Sequence, residues 1–229
     1  MGALISAVIL FVGMHFLFSD RHIRPKLVAA LGEKLFSGLY SVIAGAALVW
    51  MIWAYAQAPV IPMRGFGATP NWIALPAVAL ALLFIVCGNS QYNPTAVARQ
   101  IDLARVDPAP GILKITRHPV MWGIGLFASV HLLVNFHLAA LVFFGGIALL
   151  ALLGTLRLDA KHRRRDHDGF TRLAAATSNL PFLAIVAGRQ RLGAAISGIG
   201  GARFAIAAAL FLGLLFAHPW IAGRAVAIF

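Results

Sequence analysis

The chain has 229 residues, 61% of them hydrophobic and only 11% charged, with a formal net charge of +12 and a mean hydropathy of +0.87. Soluble domains of this size are about 45–50% apolar and about 25% charged, so the composition excludes an ordinary soluble domain and indicates an integral membrane protein. In a soluble protein such a charge would suggest nucleic acid. Here the cations fall between apolar runs, where they report topology, and no nucleic-acid partner is expected.

A helix that crosses a bilayer takes roughly 17–25 apolar residues. Runs of that kind cover 2–18, 35–57, 72–89, 119–136, 138–156 and 204–221. This predicts an all-α, polytopic bundle of about six transmembrane helices, forming one domain over 1–229 with no internal repeat. The first run has no Lys or Arg before it and no small-residue cleavage site, so it reads as a retained helix and not a signal peptide. Pro59, Pro62, Pro70 and Pro76 crowd the connection after the second run and predict a short extended cap. Trp50, Trp53, Tyr55 and Trp72 near helix ends suit an aromatic interfacial belt. Cys87 is the single cysteine; inside an apolar run it behaves mostly as a small hydrophobe. The stretch Leu180–Gly188 is too short to span and reads as interfacial or re-entrant.

Loop cations set the expected orientation. The loops after the first and third runs hold Arg21, Arg24, Lys26 and Lys34, then Arg99, Arg105, Lys114 and Arg117. The loop after the fifth run is basic from Arg157 to Arg203, whereas only Arg64 and Arg224 fall on the other side. That bias places the basic loops in the cytoplasm and both termini away from it. The Lys161–Arg165 run is expected to lie against anionic lipid head groups.

The stretch Lys114–Gly123 puts Arg117, His118 and Pro119 at the entrance of an apolar run. Proline suits a first helical turn, which leaves Arg117 and His118 beside the orphan donors of a helix start. Such a place favours a phosphate, a carboxylate or a propionate, although an Arg there also simply marks a cytoplasmic helix end. His15 and His131 lie inside apolar runs, and intramembrane ionisable groups are functional candidates when they face the bundle interior. A satisfied core imidazole is the competing reading. Two buried histidines without cysteine or carboxylate beside them suit a haem iron, whereas structural zinc wants four ligands. Asp102, Asp107, Asp159, Asp166 and Asp168 all read as cytoplasmic, which leaves the bundle core without carboxylates.

His131 stands roughly 20 Å along its helix from His118, while His15 lies near the cytoplasmic end of its own. The depths of His15 and His131 then differ by on the order of 10 Å. A haem lying nearly parallel to the membrane tolerates this, and His15 with His118 is the competing pair. His22, His137, His162 and His167 read as solvated, and His218 before Pro219 as a helix-boundary residue.

The chain resembles the NnrU family of bacterial membrane proteins, whose plant and cyanobacterial relatives are the 15-cis-zeta-carotene isomerases. The resemblance rests on Ile115–Met121 with Gly123, on Val130-His131-Leu132, on Thr177–Phe182, on Gly188-Arg189-Gln190 and on Ala217-His218-Pro219. His15 through Arg24, Leu31-Gly32-Glu33 and Leu39-Tyr40 extend it over essentially the whole chain. It implies a protein of the bacterial inner membrane associated with denitrification, through nitrite and nitric oxide reductase function. From the isomerase relatives it implies haem b with His15 and His131 as iron ligands, and Arg117 and His118 engaging propionates or the polar end of a small hydrophobic substrate. An alternative cysteine ligand of those relatives maps onto Ala128, so ligand exchange is not carried over. The relatives' His-Ser-Gly is His15-Phe16-Leu17 here, which argues against an unchanged isomerase.

A more distant resemblance joins Arg117-His118-Pro119 and Phe170…Pro181 to isoprenylcysteine and phospholipid methyltransferases. Those enzymes usually carry paired glutamates where this chain has Asp159, Lys161 and Arg163–Arg165, and cations there would oppose a sulfonium cofactor. The remaining alternative is a non-catalytic accessory protein of respiratory enzyme assembly.

Overall fold

The computed structural model of the chain describes residues 1–63, 71–95, 109–223 and 226. Arg64, Pro70, Arg99, Asp102, Arg105, Asp107 and Arg224, which entered the expectations above, lie outside the described residues. The helices are α1 (Gly2–Phe18), α2 (Ile23–Leu31), α3 (Glu33–Ala56), α4 (Asn71–Ser90), α5 (Pro119–Val134) and α6 (Leu138–Arg165). They continue with α7 (His167–Ala176), α8 (Leu183–Val186), α9 (Leu192–Ile199) and α10 (Gly201–Ala222), and a 3₁₀ turn at Gly111–Lys114 precedes α5.

Each expected apolar run is helical, but not all are long enough to cross a membrane. Among the described residues α3, α4, α6 and α10 are long and apolar enough, and α1 with α2 adds a fifth span if that pair, bent by 81°, counts as one. Of the six expected runs, four or five therefore meet that measure among the described residues. Asp20 makes the bend, because its Oδ1 accepts from the backbone N–H groups of His22 at 2.8 Å and Ile23 at 3.3 Å and starts α2. Helix α5 has only 16 residues, since Asn135 turns the chain and its N–H and side chain both bond the His131 carbonyl.

Helix α6 departs in the other direction. The apolar run ends near Leu156, yet the helix continues to Arg165 and totals 28 residues. The extension holds Leu, Ala, Lys and Arg and no Gly or Pro, a composition that favours helix without any apolar face. It stops at Asp166, which takes extended backbone and caps α7 by accepting from Gly169 N–H at 2.8 Å.

The chain divides into two compact units, Met1–Ala68 with His131–Leu150, and Thr69–Val130 with Ala151–Phe229. In the first, α1 and α2 pack on α3. An aromatic column fills the contact, with Phe18 against Phe36 and Tyr40 at ring distances of 6.4 and 6.2 Å. At its other end Tyr55 stacks on Phe143 at 4.5 Å. Pro62 pairs with His137 as a single β-bridge, which ties the segment after α3 to the α5–α6 turn. That bears out an extended connection there, whereas Pro76 lies inside α4.

In the second unit α10 packs on α4 and α9 on the 3₁₀ turn. Gln91 joins them, donating to Gly198 O at 2.8 Å and accepting from Ile112 N–H at 3.0 Å. Gly111 and Gly198 approach so closely that a Cβ on Gly198 would stand 2.9 Å from the Gly111 Cα. Helices α4 and α5 meet in the same way at Gly123, where a Cβ would lie 2.7 Å from the Ala81 carbonyl oxygen. Backbone cannot yield there as a side-chain tip can. Helix α10, by contrast, leaves its apolar surface almost uncovered by protein, with 6% of its spanning window buried, as suits a helix whose solvent is lipid.

Gly123→Ala is therefore expected to cost about 1–3 kcal/mol of stability by overpacking. Thermal unfolding in mild detergent should show a lowered midpoint for it, and an unchanged one for Gly213→Ala, whose Cβ meets nothing within 4 Å.

Candidate functional site

The described residues carry one buried charge cluster, in the second unit, and the Arg-His-Pro segment builds it. The backbone of that segment is fixed first. Arg117 N–H donates to Ser178 O at 2.9 Å and Phe182 N–H to Ile115 O at 2.9 Å, while Thr116 Oγ1 donates to Asn179 O at 2.6 Å. Thr95 Oγ1 also donates to the Arg117 carbonyl. Phe182 takes a φ of 66°, a left-handed value uncommon for a bulky residue, and so turns the chain back from this stitched segment. Arg189 closes the other end, giving Nη1 to the carbonyls of Ala174, Ala175 and Thr177 at 3.0, 2.9 and 2.7 Å. The separate sequence motifs around 117, 178 and 189 thus belong to one hydrogen-bonded body.

Asp159 is the hub of the side chains. Its Oδ1 accepts from Arg117 Nε at 2.8 Å and His118 Nε2 at 2.6 Å. Its Oδ2 accepts from Arg117 Nη2 at 2.5 Å and Asn179 Nδ2 at 3.1 Å. Four donors use the whole acceptor capacity of a carboxylate. Asn179 Oδ1 in turn accepts from Trp122 Nε1 at 3.2 Å. The Phe170 ring lies under the Arg117 guanidinium at 5.6 Å and under that of Arg163 at 5.2 Å.

The sequence placed Arg117 and His118 at an open anion-binding helix start, and the structure instead buries both, at 9% and 2% exposure. The Arg117 charge is answered internally. Burial, the largest influence, pulls the His118 imidazole below its ordinary range, against the opposing pull of Asp159. Its Nε2 hydrogen faces the carboxylate, so Nδ1 carries the lone pair, and that atom is buried without a hydrogen-bond partner.

Asp159 and His162 were expected in a solvated loop. Both lie on α6 and are buried, at 8% and 5% exposure. They sit three residues apart and so share a face of that helix. His162 Nε2 is likewise buried and unpartnered, and the ring lies within electrostatic reach of the Thr95 backbone and of His118. Asp159, His162 and Asn179 are the residues that sequence reasoning missed. The one available signal was a lone acid in a basic run, spaced by four and seven from Thr155 and Leu152.

Beside this cluster is a cavity of about 430 Å³, lined by Leu80, Phe84, Trp122, Leu126, Leu152 and Phe182 among others. On α5 its wall is Trp122, Gly125, Leu126 and Ser129. Steps of three and four residues put these on the helix face that begins at His118. On α6 the same face runs from Leu152 through Thr155 and Asp159 to His162.

The other two candidate residues lie in the first unit. His15 Nδ1 is 2.6 Å from the Phe11 carbonyl, and its ring packs on Phe11 at 4.5 Å and Tyr40 at 5.5 Å. His131 packs on Phe144 at 5.2 Å, and Phe144 in turn on Tyr55 at 5.6 Å. Tyr40 and Tyr55 are separated by about 22 Å of rise on α3, so the two imidazoles take their ring neighbours towards opposite ends of that helix. Ala128, at the position of the relatives' cysteine, is fully buried. Among the described residues no group of three or more His, Cys, Asp or Glu is placed to hold a metal ion.

Fold and site together define a polytopic α-helical membrane protein with a buried, ion-paired polar cluster beside an apolar cavity. The family model described as NnrU protein matches residues 3–226, and the chain belongs to the NnrU family. Comparison with curated proteins and with solved structures gives no match.

Removing the hub charge should be costly. Asp159→Asn leaves Arg117 buried and uncompensated, and breaking a buried pair on one side costs about 3–5 kcal/mol. The expected result is a strongly lowered unfolding midpoint in detergent, whereas Asp168→Asn, on an exposed position, should unfold with the parent.

Proposed function

We propose that this NnrU-family protein is a membrane-embedded binder of a long apolar molecule, held in the second unit between α4, α5 and α6. The observation that carries this reading is the 430 Å³ cavity with almost wholly apolar walls, joined through Trp122 and Asn179 to the Asp159 cluster. Binding sites typically combine such walls with a few fixed polar groups. In this reading the ion pair of Arg117 and Asp159 holds the register of the cavity wall, and Trp122 is its aromatic side. Loop cations support both termini lying away from the cytoplasm, in a bacterial inner membrane. The family resemblance supports a role beside nitrite and nitric oxide reduction. A methyltransferase reading draws nothing from the cluster, because the carboxylate beside His118 has no acceptor capacity left for a cationic cofactor.

The cavity is tested with a long-chain bromoalkane in lipid nanodiscs. It should quench Trp122 fluorescence saturably, assigned by subtracting the Trp122→Phe variant, and Ser129→Phe, which adds volume to the lining, should weaken it on the order of tenfold. Quenching that rises linearly and survives Ser129→Phe would place the alkane in bulk lipid and refute the cavity.

A second reading, haem b, is favoured by His15. The Phe11 carbonyl fixes its Nδ1 as the donor, which leaves Nε2 as a ligand nitrogen, the usual arrangement for a metal-bound imidazole. His131 is the second ligand that the resemblance implies, and haem would supply redox chemistry when bound. Protein expressed with ample haem should then show a Soret band that shifts on reduction and is lost in His15→Ala. An unchanged band in His131→Ala would leave His15 as ligand without that partner, and no band at all would end this reading.

A further inference from the structure

The cavity between α4, α5 and α6 carries one group that apolar walls do not need. Its α5 wall runs from Trp122 through Gly125 and Leu126 to Ser129, and Ser129 lies two turns, about 10 Å, further along the helix than Trp122. The Trp122 indole N–H is already given to Asn179 Oδ1. The Ser129 hydroxyl is given to nothing, since among the described residues it makes no hydrogen bond. Helical hydroxyls commonly turn back to a carbonyl three or four residues earlier. In this chain Ser41, Thr155 and Thr177 do so, at 2.9, 2.7 and 2.6 Å from the carbonyls of Ser37, Leu152 and Leu173. The Gly125 carbonyl stands four residues before Ser129, yet Ser129 leaves it and lines the cavity.

The surroundings narrow what can answer that hydroxyl. No lining residue is ionisable, so a carboxylate, phosphate or ammonium brought there would be desolvated without a counter-charge. A water molecule normally takes about 2–4 polar partners, and here it would meet a single open side chain. A hydroxyl on the occupant leaves a donor over, because one hydrogen bond between two O–H groups uses only one of their protons. A carbonyl oxygen brings no donor of its own and takes the Ser129 proton completely. Its place is the inner end of the cavity. Leu180, which follows the Trp122 partner Asn179, is 51% exposed, so the wall reaches the surface there, whereas α5 adds no lining residue past Ser129.

We propose that the cavity selects a neutral, chain-like molecule with a carbonyl oxygen at its inner end, where Ser129 Oγ donates to it, and with its chain running past Leu126 to Trp122. This rests on the apolar-cavity reading above and adds the one polar group that the occupant carries. Ser129 is then a specificity-determining residue, which separates an oxygenated chain from a plain hydrocarbon that the remaining walls would hold equally well.

The test uses the full chain in nanodiscs, with 2-pentadecanone, 2-pentadecanol and pentadecane displacing the bromoalkane. Displacement is read as recovery of Trp122 fluorescence after subtraction of Trp122→Phe, against probe concentration in the lipid. Ser129→Ala should weaken the ketone about fivefold and leave pentadecane unchanged, and the alcohol should lose less than the ketone. Because each probe is compared with itself in parent and variant, its own partition into lipid cancels. On the unaltered protein the ketone should displace more strongly than the alcohol, an order that stands without the variant. A ketone equally effective in parent and Ser129→Ala, or an alcohol that loses more than the ketone, would overturn the carbonyl assignment and leave the cavity reading standing. Saturable displacement by none of the three would bring down the cavity reading and this inference together.

Discussion

One carboxylate organises the second unit. Asp159 accepts four hydrogen bonds from Arg117, His118 and Asn179, and through them it joins α6, the start of α5 and the segment after α7. A single buried acid is a liability when any partner is missing, because its desolvation is offset only by the complete set. The backbone stitching at Ile115, Arg117, Ser178 and Phe182 is what makes the set complete. The network therefore specifies one arrangement of three chain segments more than it adds to stability.

The two units use their histidines differently. In the second, His118 and His162 are buried in a polar cluster beside an apolar cavity. In the first, His15 and His131 are packed among aromatic rings, Phe11 and Tyr40 for one and Phe144 for the other. An aromatic wall keeps an imidazole dry without consuming both its nitrogens. His15 is tied at Nδ1 to a carbonyl and His118 at Nε2 to a carboxylate, so the two differ in what surrounds the second nitrogen and not in its chemistry.

The apolar runs were legible because hydropathy is a local property, so each expected helix appears, and all but α6 keep nearly their expected bounds. Span number was less legible, since it depends on where Asp20 and Asn135 turn the chain, through side-chain bonds no apolar count registers. The site was legible in part. Arg117 and His118 stood out as a motif, but their partner did not. Asp159 looked like a loop residue because a run of arginines resembles a solvated tail, and helix continuation there follows from propensity without amphipathicity. The contacts between 117, 159 and 179 are long-range, and nothing in one sequence records them. The motif at Gly188-Arg189-Gln190 was visible for the same reason that its role was not, because Arg189 acts only through carbonyls at the end of α7.

The length of α6 has a further consequence for the membrane around it. From Leu138 to Leu156 the helix rises about 27 Å, close to the hydrocarbon thickness of roughly 30 Å. Asp159 and His162 then follow within the next two turns of the same helix. Mismatch costs only fractions of a kcal/mol per Å, but a bilayer several Å thicker would draw that layer of hydrocarbon up to the charge cluster. The continuous helix thus makes the depth of the polar cluster a mechanical property of the bilayer, and ties the protein to membranes of a limited thickness.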